Sequence, residues 1–460
     1  MSCPVHRLAA WLLVLLVVGC VTRPVNPPLG QRDASDGYYF HQQERPDNSD
    51  ETLFLVAFSG GGTRAAALAY GVLEELRDTT FPAPEGQRRL LDEIDAISSV
   101  SGGSVTAAAY GLYGDEIFPR LETDFLKRDV QRNLVLKTAN PLNWWRLASG
   151  RFGRSELAAE FYDRILFHGA TIGDFGRRPG PFVIINSTDI TTGARFEFTQ
   201  TQFDLLCSDV SGFPISRAVA ASSAVPAALT PITVNNYAGH CGYSPPEWIQ
   251  RRYRPSEGRV RLRAREMRSY LDSTNRPFIH VVDGGVSDNL GLRAFLDGMN
   301  AMQAQPELVG DLDPAKVKRV VVISANAYSF PDRNWDQREQ PPGSLTVGAA
   351  AANHTLDRYS FETLELVKEQ FEIWQRQLSG RSEIKLYPVM INFTNFRDLK
   401  ERRFFLNLPT SFVLPPTDVD KLKDAGHRLL RQNPAYRELL RDFNIQLPPD
   451  PADANQSELE

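Results

Sequence analysis

Three short stretches hold residue types that can do chemistry. "SSVSGGS" (Ser98–Ser104) sets Ser101 among small residues, where the strand-like run "AISSV" gives way to an alanine-rich helical one. A serine in such a cramped turn is the arrangement of a nucleophile elbow, G-x-S-x-G. Here the five residues are Ser99-Val100-Ser101-Gly102-Gly103, with serine in the first glycine place. The pattern equally suits a plain small-residue turn that opens a helix. "FSGGGTR" (Phe58–Arg64) ends an apolar run in Gly60-Gly61-Gly62-Thr63-Arg64. Consecutive glycines leave backbone N–H groups free to point at an anion, aided by a helix N-terminus. In acyl transfer that anion is the oxyanion of the tetrahedral intermediate; in a nucleotide enzyme it is phosphate. No Lys-Ser/Thr follows the glycines, so the Walker pattern is absent. "HVVDGGVSDN" puts Asp283 at the end of an apolar run, followed by Gly284 and Gly285. A carboxylate there can serve a serine hydroxyl as general base, although Asp-Gly-Gly is also turn chemistry in its own right.

Rivals exist for both roles. Ser104 lies inside the helical run, where its hydroxyl points away from a turn apex. His280, His354 and His427 could complete a Ser-His-Asp triad, but nothing nearby in sequence ties any of them to Ser101. The seven histidines and four cysteines show no metal-ligand spacing, so neither a metal site nor a cofactor is expected.

Positioning these groups requires strands and helices in alternation. Strands are predicted at Thr52–Phe58, Ile94–Val100, Phe182–Asn186, Phe278–Val282, Val320–Ser324 and Ile384–Phe393. Helices are predicted at Ala65–Arg77, Gly103–Leu112, Arg154–Phe167, Ile215–Ala224, Leu290–Gln303, His354–Leu378 and Asp418–Asn433. Continuous apolar strands between helices mean a mostly parallel central sheet covered on both faces, a three-layer α/β/α class. "AVAASSAVPAALTPITV" (Ala218–Val234) is rich in small residues and reads as a helix passing close to another backbone. The domain spans 51–447, with a long insertion at about 239–276 that holds eight arginines between Arg251 and Arg268. That strip suits either anionic head groups or a solvated, ion-paired face. Trp144 and Trp145 suit a buried contact or a lipid interface.

Composition is that of a globular protein: 460 residues, 42% hydrophobic, 23% charged,. A net charge of -5 gives no general pull toward nucleic acid,. The N-terminus departs from this. A mildly basic start and the apolar run Leu8–Gly19 read as a signal peptide, too short to span a bilayer. "VVGC" (Val17–Cys20) resembles the lipobox of bacterial lipoproteins, which implies a signal peptide over 1–19, lipidation of Cys20 and export to a bacterial membrane. Val21 after the cysteine favours the outer membrane. Residues 20–50, poor in periodic apolar positions, are expected as a lipidated flexible tether, and 448–460 as a disordered acidic tail. In an exported chain Cys207 and Cys241 are free to pair or not.

Taken in order, the Gly-rich loop, serine turn, small-residue helix and Asp-Gly-Gly resemble the patatin-like phospholipase family, whose signatures are G-G-G-x-R, G-x-S-x-G and D-G-G. "NSTDITTGARFEF" (Asn186–Phe198), "AASSAVPAALTPI" (Ala220–Ile232) and "LNLPTSF" (Leu406–Phe412) also look like family segments. The resemblance implies a patatin-like fold and a Ser101–Asp283 dyad. It places an oxyanion hole at Gly60, Gly61, Gly62, Thr63 and Arg64, with Ser99, Gly102, Gly103, Gly284 and Gly285 in support. It implies a lipid acyl hydrolase acting on phospholipid or lysophospholipid. Ser99 and Ser59 depart from the family pattern without removing a catalytic group. The alternatives are a lipid-binding or assembly protein with little turnover, and a serine esterase of non-lipid substrates.

Overall fold

The computed structural model describes residues 23–33, 35–46, 48–83, 86–254, 258–304, 316–378 and 384–445. The expected signal peptide, Cys20 and the acidic tail lie outside them.

The described residues form an eight-stranded sheet. Its strands are β1 (Thr52–Phe58), β2 (Ala96–Val100), β3 (Phe182–Asp189), β4 (Arg195–Glu197), β5 (Ile232–Asn235), β6 (Phe278–Asp283), β7 (Arg319–Asn326) and β8 (Lys385–Asn392). Their order is β8-β7-β1-β2-β3-β6-β5, with β4 beside β3. The five strands from β8 to β3 run parallel, and β4, β5 and β6 add antiparallel pairs. Every residue of β1, β2 and β3 is buried. Successive side chains point to opposite faces of a sheet, so this requires helices on both sides.

Helix α1 (Thr63–Asp78) follows β1, and α2 (Gly102–Tyr113) follows β2. Helix α3 covers Arg154–Tyr162, and a single π turn carries it on to Phe167. The small-residue stretch forms α4 (Ile215–Ser222), and the arginine strip forms α5 (Gly258–Tyr270). The remaining long helices are α6 (Leu292–Ala304), α7 (Ser344–Leu378) and α8 (Pro416–Gln432). Helices α1 and α8 pack backbone to backbone: a Cβ on Gly71 would lie 2.1 Å from the Lys423 carbonyl oxygen. Part of the arginine strip is internally paired. Arg263 lies beside Glu197, Glu266 and Asp297, and Arg268 donates to the Ile249 and Arg251 carbonyls.

The expected flexible tether is a correction. From Arg23 onward the described chain is fastened to the domain. Arg23 donates to the Thr233 carbonyl (2.9 Å) and to Asn235, Asn26 is buried against Ser208 (2.8 Å), and Arg32 pairs with Asp204 (2.8 Å). Tyr38 is buried with its ring stacked on Phe182, and its hydroxyl accepts the Val183 N–H at 2.7 Å. The segment lacks periodicity because it docks through single side chains rather than through a helical or strand face.

Cys207 and Cys241 form a disulfide, their Cα atoms 5.4 Å apart. The carbonyls of the same two residues accept the Leu29 and Arg32 N–H groups. With the two 34 positions apart in sequence, replacing both by alanine is expected to lower the unfolding free energy by about 3–4 kcal/mol, through the larger entropy of the unfolded chain. Chemical denaturation checks this, and limited proteolysis should show faster cleavage before Tyr38.

Candidate active site

The glycine loop and the serine turn leave neighbouring parallel strands at the same edge of the sheet, the usual place for an α/β crevice. β1 ends at Phe58 and β2 at Val100, with Phe58 paired to Ser99. Asp283 arrives from the opposite direction on β6. Val100 pairs with Asn186, and the next residue of β3, Ser187, pairs with Asp283. The antiparallel strand therefore stops level with the serine turn.

Ser101 sits in a backbone conformation that side chains rarely adopt, φ 51° and ψ −119°. A non-glycine residue there is strained by roughly 1–3 kcal/mol, and persists only where its surroundings over-determine it. They do so here. The Ser101 N–H donates to the Ser222 hydroxyl (2.8 Å), which donates to the Asn186 carbonyl (2.6 Å). Gly102 must be glycine because a Cβ would lie 2.0 Å from the Gly62 carbonyl oxygen. The Ser104 hydroxyl is buried and bound to Ser222 at 2.9 Å, which removes it from the cleft. Ser99 is accommodated because its hydroxyl turns into the sheet and donates to the Ile184 carbonyl at 3.0 Å.

The Asp283 carboxyl is buried, and burial pushes its pKa up to about 6. Two contacts hold it back from rising further: the Gly285 N–H at 2.7 Å and the Ser101 side chain. Its own N–H donates to Ala224 and that of Gly284 to Ser222 (3.0 and 3.1 Å). One small-residue helix end thus positions both the serine turn and the aspartate.

The glycine loop divides its amides. Gly60 donates to the Asn289 carbonyl (3.0 Å) and Thr63 to that of Ser411 (2.9 Å). Those two expected oxyanion donors are therefore engaged. The N–H groups of Gly61 and Gly62 have no protein partner among the described residues. Gly61 lines the cleft, and at Gly62 (φ 61°) Ser411 leaves the Cα no room for a side chain. Arg64 is buried rather than aimed at an anion. Its guanidinium donates to the Ala327 carbonyl (2.9 Å), the Leu408 carbonyl and the Thr410 hydroxyl (3.1 Å). Burial lowers its pKa to about 10, which still leaves it charged at neutral pH. It braces the loop.

Gly60, Gly61, Arg64, Ser101 and Asp283 line a cleft of about 670 Å³. Val225, Val286, Phe330 and Leu408 give it apolar walls. His354 also lines it, hydrogen-bonded to Arg333 at 2.8 Å. His280 is bound to the Thr233 hydroxyl (3.0 Å), and His427 lies between Glu75 and Glu74 (2.9 and 3.4 Å). Among the described residues, no group of three or more His, Cys, Asp or Glu is gathered that could hold a metal ion.

The family model for patatin-like phospholipases matches residues 56–296, just over half of the chain, from within β1 to within α6. The chain belongs to this family. The patatin-like match takes in the glycine loop, the serine turn, the small-residue helix and Asp-Gly-Gly, while β7, β8 and the long α7 lie beyond it. No curated protein matches. Among solved structures, human GIVD cytosolic phospholipase A2 is 12% identical, with a TM-score of 0.41. The alignment covers 86% of this chain and 62% of that one, so the chain spans less than two thirds of that protein. VipD from Legionella pneumophila is 15% identical with a TM-score of 0.28, over 89% and 73% of the two chains.

Three contributors to this patatin-like site escape sequence reading. Ser222 is one of several serines in "AASS", with no signal to separate it from Ser223. Asn289 supplies a carbonyl, which every residue has. Ser411 contributes only backbone, 348 positions after Thr63.

Proposed function

We propose that this chain is a membrane-anchored serine acyl hydrolase of phospholipid or lysophospholipid, working through Ser101 and Asp283. The observation that carries the reading is a strained serine lining the cleft, hydrogen-bonded to the buried carboxyl of Asp283. In the first step the Ser101 hydroxyl oxygen attacks the ester carbonyl carbon, and the Asp283 carboxylate takes the hydroxyl proton. The oxyanion that forms faces the Gly61 and Gly62 amides, with the Gly102 amide as a further donor. Collapse breaks the ester C–O bond. Asp283 returns the proton to the leaving alkoxide, which departs as the lyso product or alcohol. Water then loses a proton to Asp283 and attacks the acyl-serine; the acyl C–Oγ bond breaks, Asp283 passes the proton to the departing Ser101 oxygen, and the fatty acid is freed. A carboxyl with a pKa of about 6 is mostly ionised at neutral pH, yet close enough to return the proton,. The apolar cleft walls suit an acyl chain,.

Anchoring rests on Leu8–Gly19 and Val17–Cys20, outside the described residues, and implies export to a bacterial outer membrane. None of the helices in the described residues is long and apolar enough to cross a membrane. In this reading the attachment is a lipid on Cys20.

The test is fatty-acid release from phospholipid vesicles beside hydrolysis of a water-soluble short-chain ester. Vesicle turnover that survives His354→Ala and is lost in Asp283→Asn supports the dyad. Turnover of the soluble ester alone would give the site to non-lipid substrates. Turnover of neither by a folded chain would leave a binding role.

A further inference from the structure

The helical hairpin Val130–Ala148 is built of two short helices, Val130–Ala139 and Pro141–Ala148. Val130 is buried and Leu134 and Leu147 pack inward, but five other apolar residues face outward. Val135 is 61% exposed, Leu136 57%, Leu142 76%, Trp144 58% and Trp145 41%. Large aromatics at such exposure mark interaction surfaces. The arrangement is held in place rather than frayed: Asn140 caps the second helix, and the Trp144 indole N–H donates to the Thr138 carbonyl at 3.2 Å.

Charge chooses the partner. Lys127–Arg154 carries seven basic residues and one acid, Asp129, in a chain whose net charge is -5. Arg128, Arg132 and Arg151 are exposed, with no ion-pair partner among the described residues. Tryptophan and leucine flanked by unpaired arginines is the composition of an element that lies in an anionic lipid interface. Position agrees. The Gln131 side chain accepts the Phe412 N–H at 3.3 Å, two residues from cleft-lining Thr410. Arg154, just past the hairpin, donates to the Ala227 carbonyl at 3.0 Å, next to cleft-lining Pro226. The cleft adds its own exposed apolar residues, Val225, Val286 and Phe330.

We infer that the Val130–Ala148 hairpin is a docking element for anionic bilayers, which seats Leu142, Trp144 and Trp145 among lipid acyl chains and sets the cleft mouth on the membrane. The inference rests on the lipid-hydrolase reading for its purpose but not for its test.

The binding arm uses the full chain carrying Ser101→Ala, so that no lipid is consumed, and a companion that also carries Trp144→Phe and Trp145→Phe. The emission difference between the two reports these tryptophans alone, whatever else holds the chain to a vesicle. It should be quenched by brominated acyl chains in equimolar phosphatidylcholine and phosphatidylglycerol, less in pure phosphatidylcholine, and less again at high salt. The activity arm uses Leu142→Asp with Trp144→Asp in the otherwise unchanged chain. Vesicle hydrolysis should fall about tenfold or more, while hydrolysis of a soluble short-chain ester stays unchanged and shows that the variant is folded. No quenching on either vesicle would overturn the inference. So would undiminished vesicle hydrolysis by the variant, or a dimer that shields Trp144 and Trp145 from a soluble quencher. A parent inactive on both substrates would sink the hydrolase reading, and the quenching arm would still decide this one.

Discussion

Replacing Ser101 by alanine should lower fatty-acid release by roughly 10⁴- to 10⁶-fold, the loss usual when a covalent nucleophile is removed. The fold should survive, since the Ser101 N–H keeps its bond to Ser222. Alanine inherits the strain of φ 51° because it retains a Cβ,. Glycine does not. Ser101→Gly should therefore be equally inactive, yet more stable than Ser101→Ala by about 1 kcal/mol. Initial rates on vesicles and denaturation midpoints test both halves. Activity within a factor of about ten of the parent would remove Ser101 from the chemistry. Equal stability of the two variants would mean that the turn is not under tension.

Asp283→Asn should lower kcat/KM by about 10³- to 10⁴-fold, since the amide cannot take the serine proton. Stability should move the other way. Burial raises the carboxyl from its ordinary value of 3.8 to about 6 in the folded chain. A group raised on folding contributes stability that is present below the unfolded pKa and lost as pH climbs through the folded one. Near pH 8, native Asp283 is held ionised at a penalty of about 2–3 kcal/mol,. Asparagine has no such penalty and can still accept the Gly285 N–H. The variant should therefore unfold later than the parent at about pH 8 and together with it at about pH 3,. Parent kcat/KM should fall as pH drops below about 6, where the base is protonated,. A flat acid limb, or a stability gap that does not vary with pH, would mean that another group serves as base. Together these predictions describe a site whose two active residues each weaken the fold that holds them.

The proposed pair, Ser101 and Asp283, could be picked out because its surroundings are spelled in residue type. Cramped turns favour glycine, and Gly60–Gly62, Gly102–Gly103 just after Ser101 and Gly284–Gly285 just after Asp283 appear as such in the sequence,. Six strands were legible because buried strands are runs of apolar letters. Direction was not: "FIHVVD" reads alike whether parallel or antiparallel, and only pairing with Ser187 brings Asp283 level with Ser101. The strand Ile232–Asn235 is too short for alternation to show. Which loop amides stay free was hidden as well, since the carbonyls that occupy Gly60 and Thr63 come from Asn289 and Ser411. The outward face of Val130–Ala148 resembled core sequence, because apolar residues meant for lipid and for protein are the same residues.

With Arg23 fastened to Thr233 and Asn235, only Val21 and Thr22 separate Cys20 from a fixed point on the domain. On the proposal that Cys20 carries the acyl anchor, the leash is at most about 10 Å long. So short a leash gives almost no reach. The domain then samples only the leaflet in which its anchor is planted. Its working substrate concentration is then the local lipid composition, a surface density that dilution of the surrounding fluid does not alter.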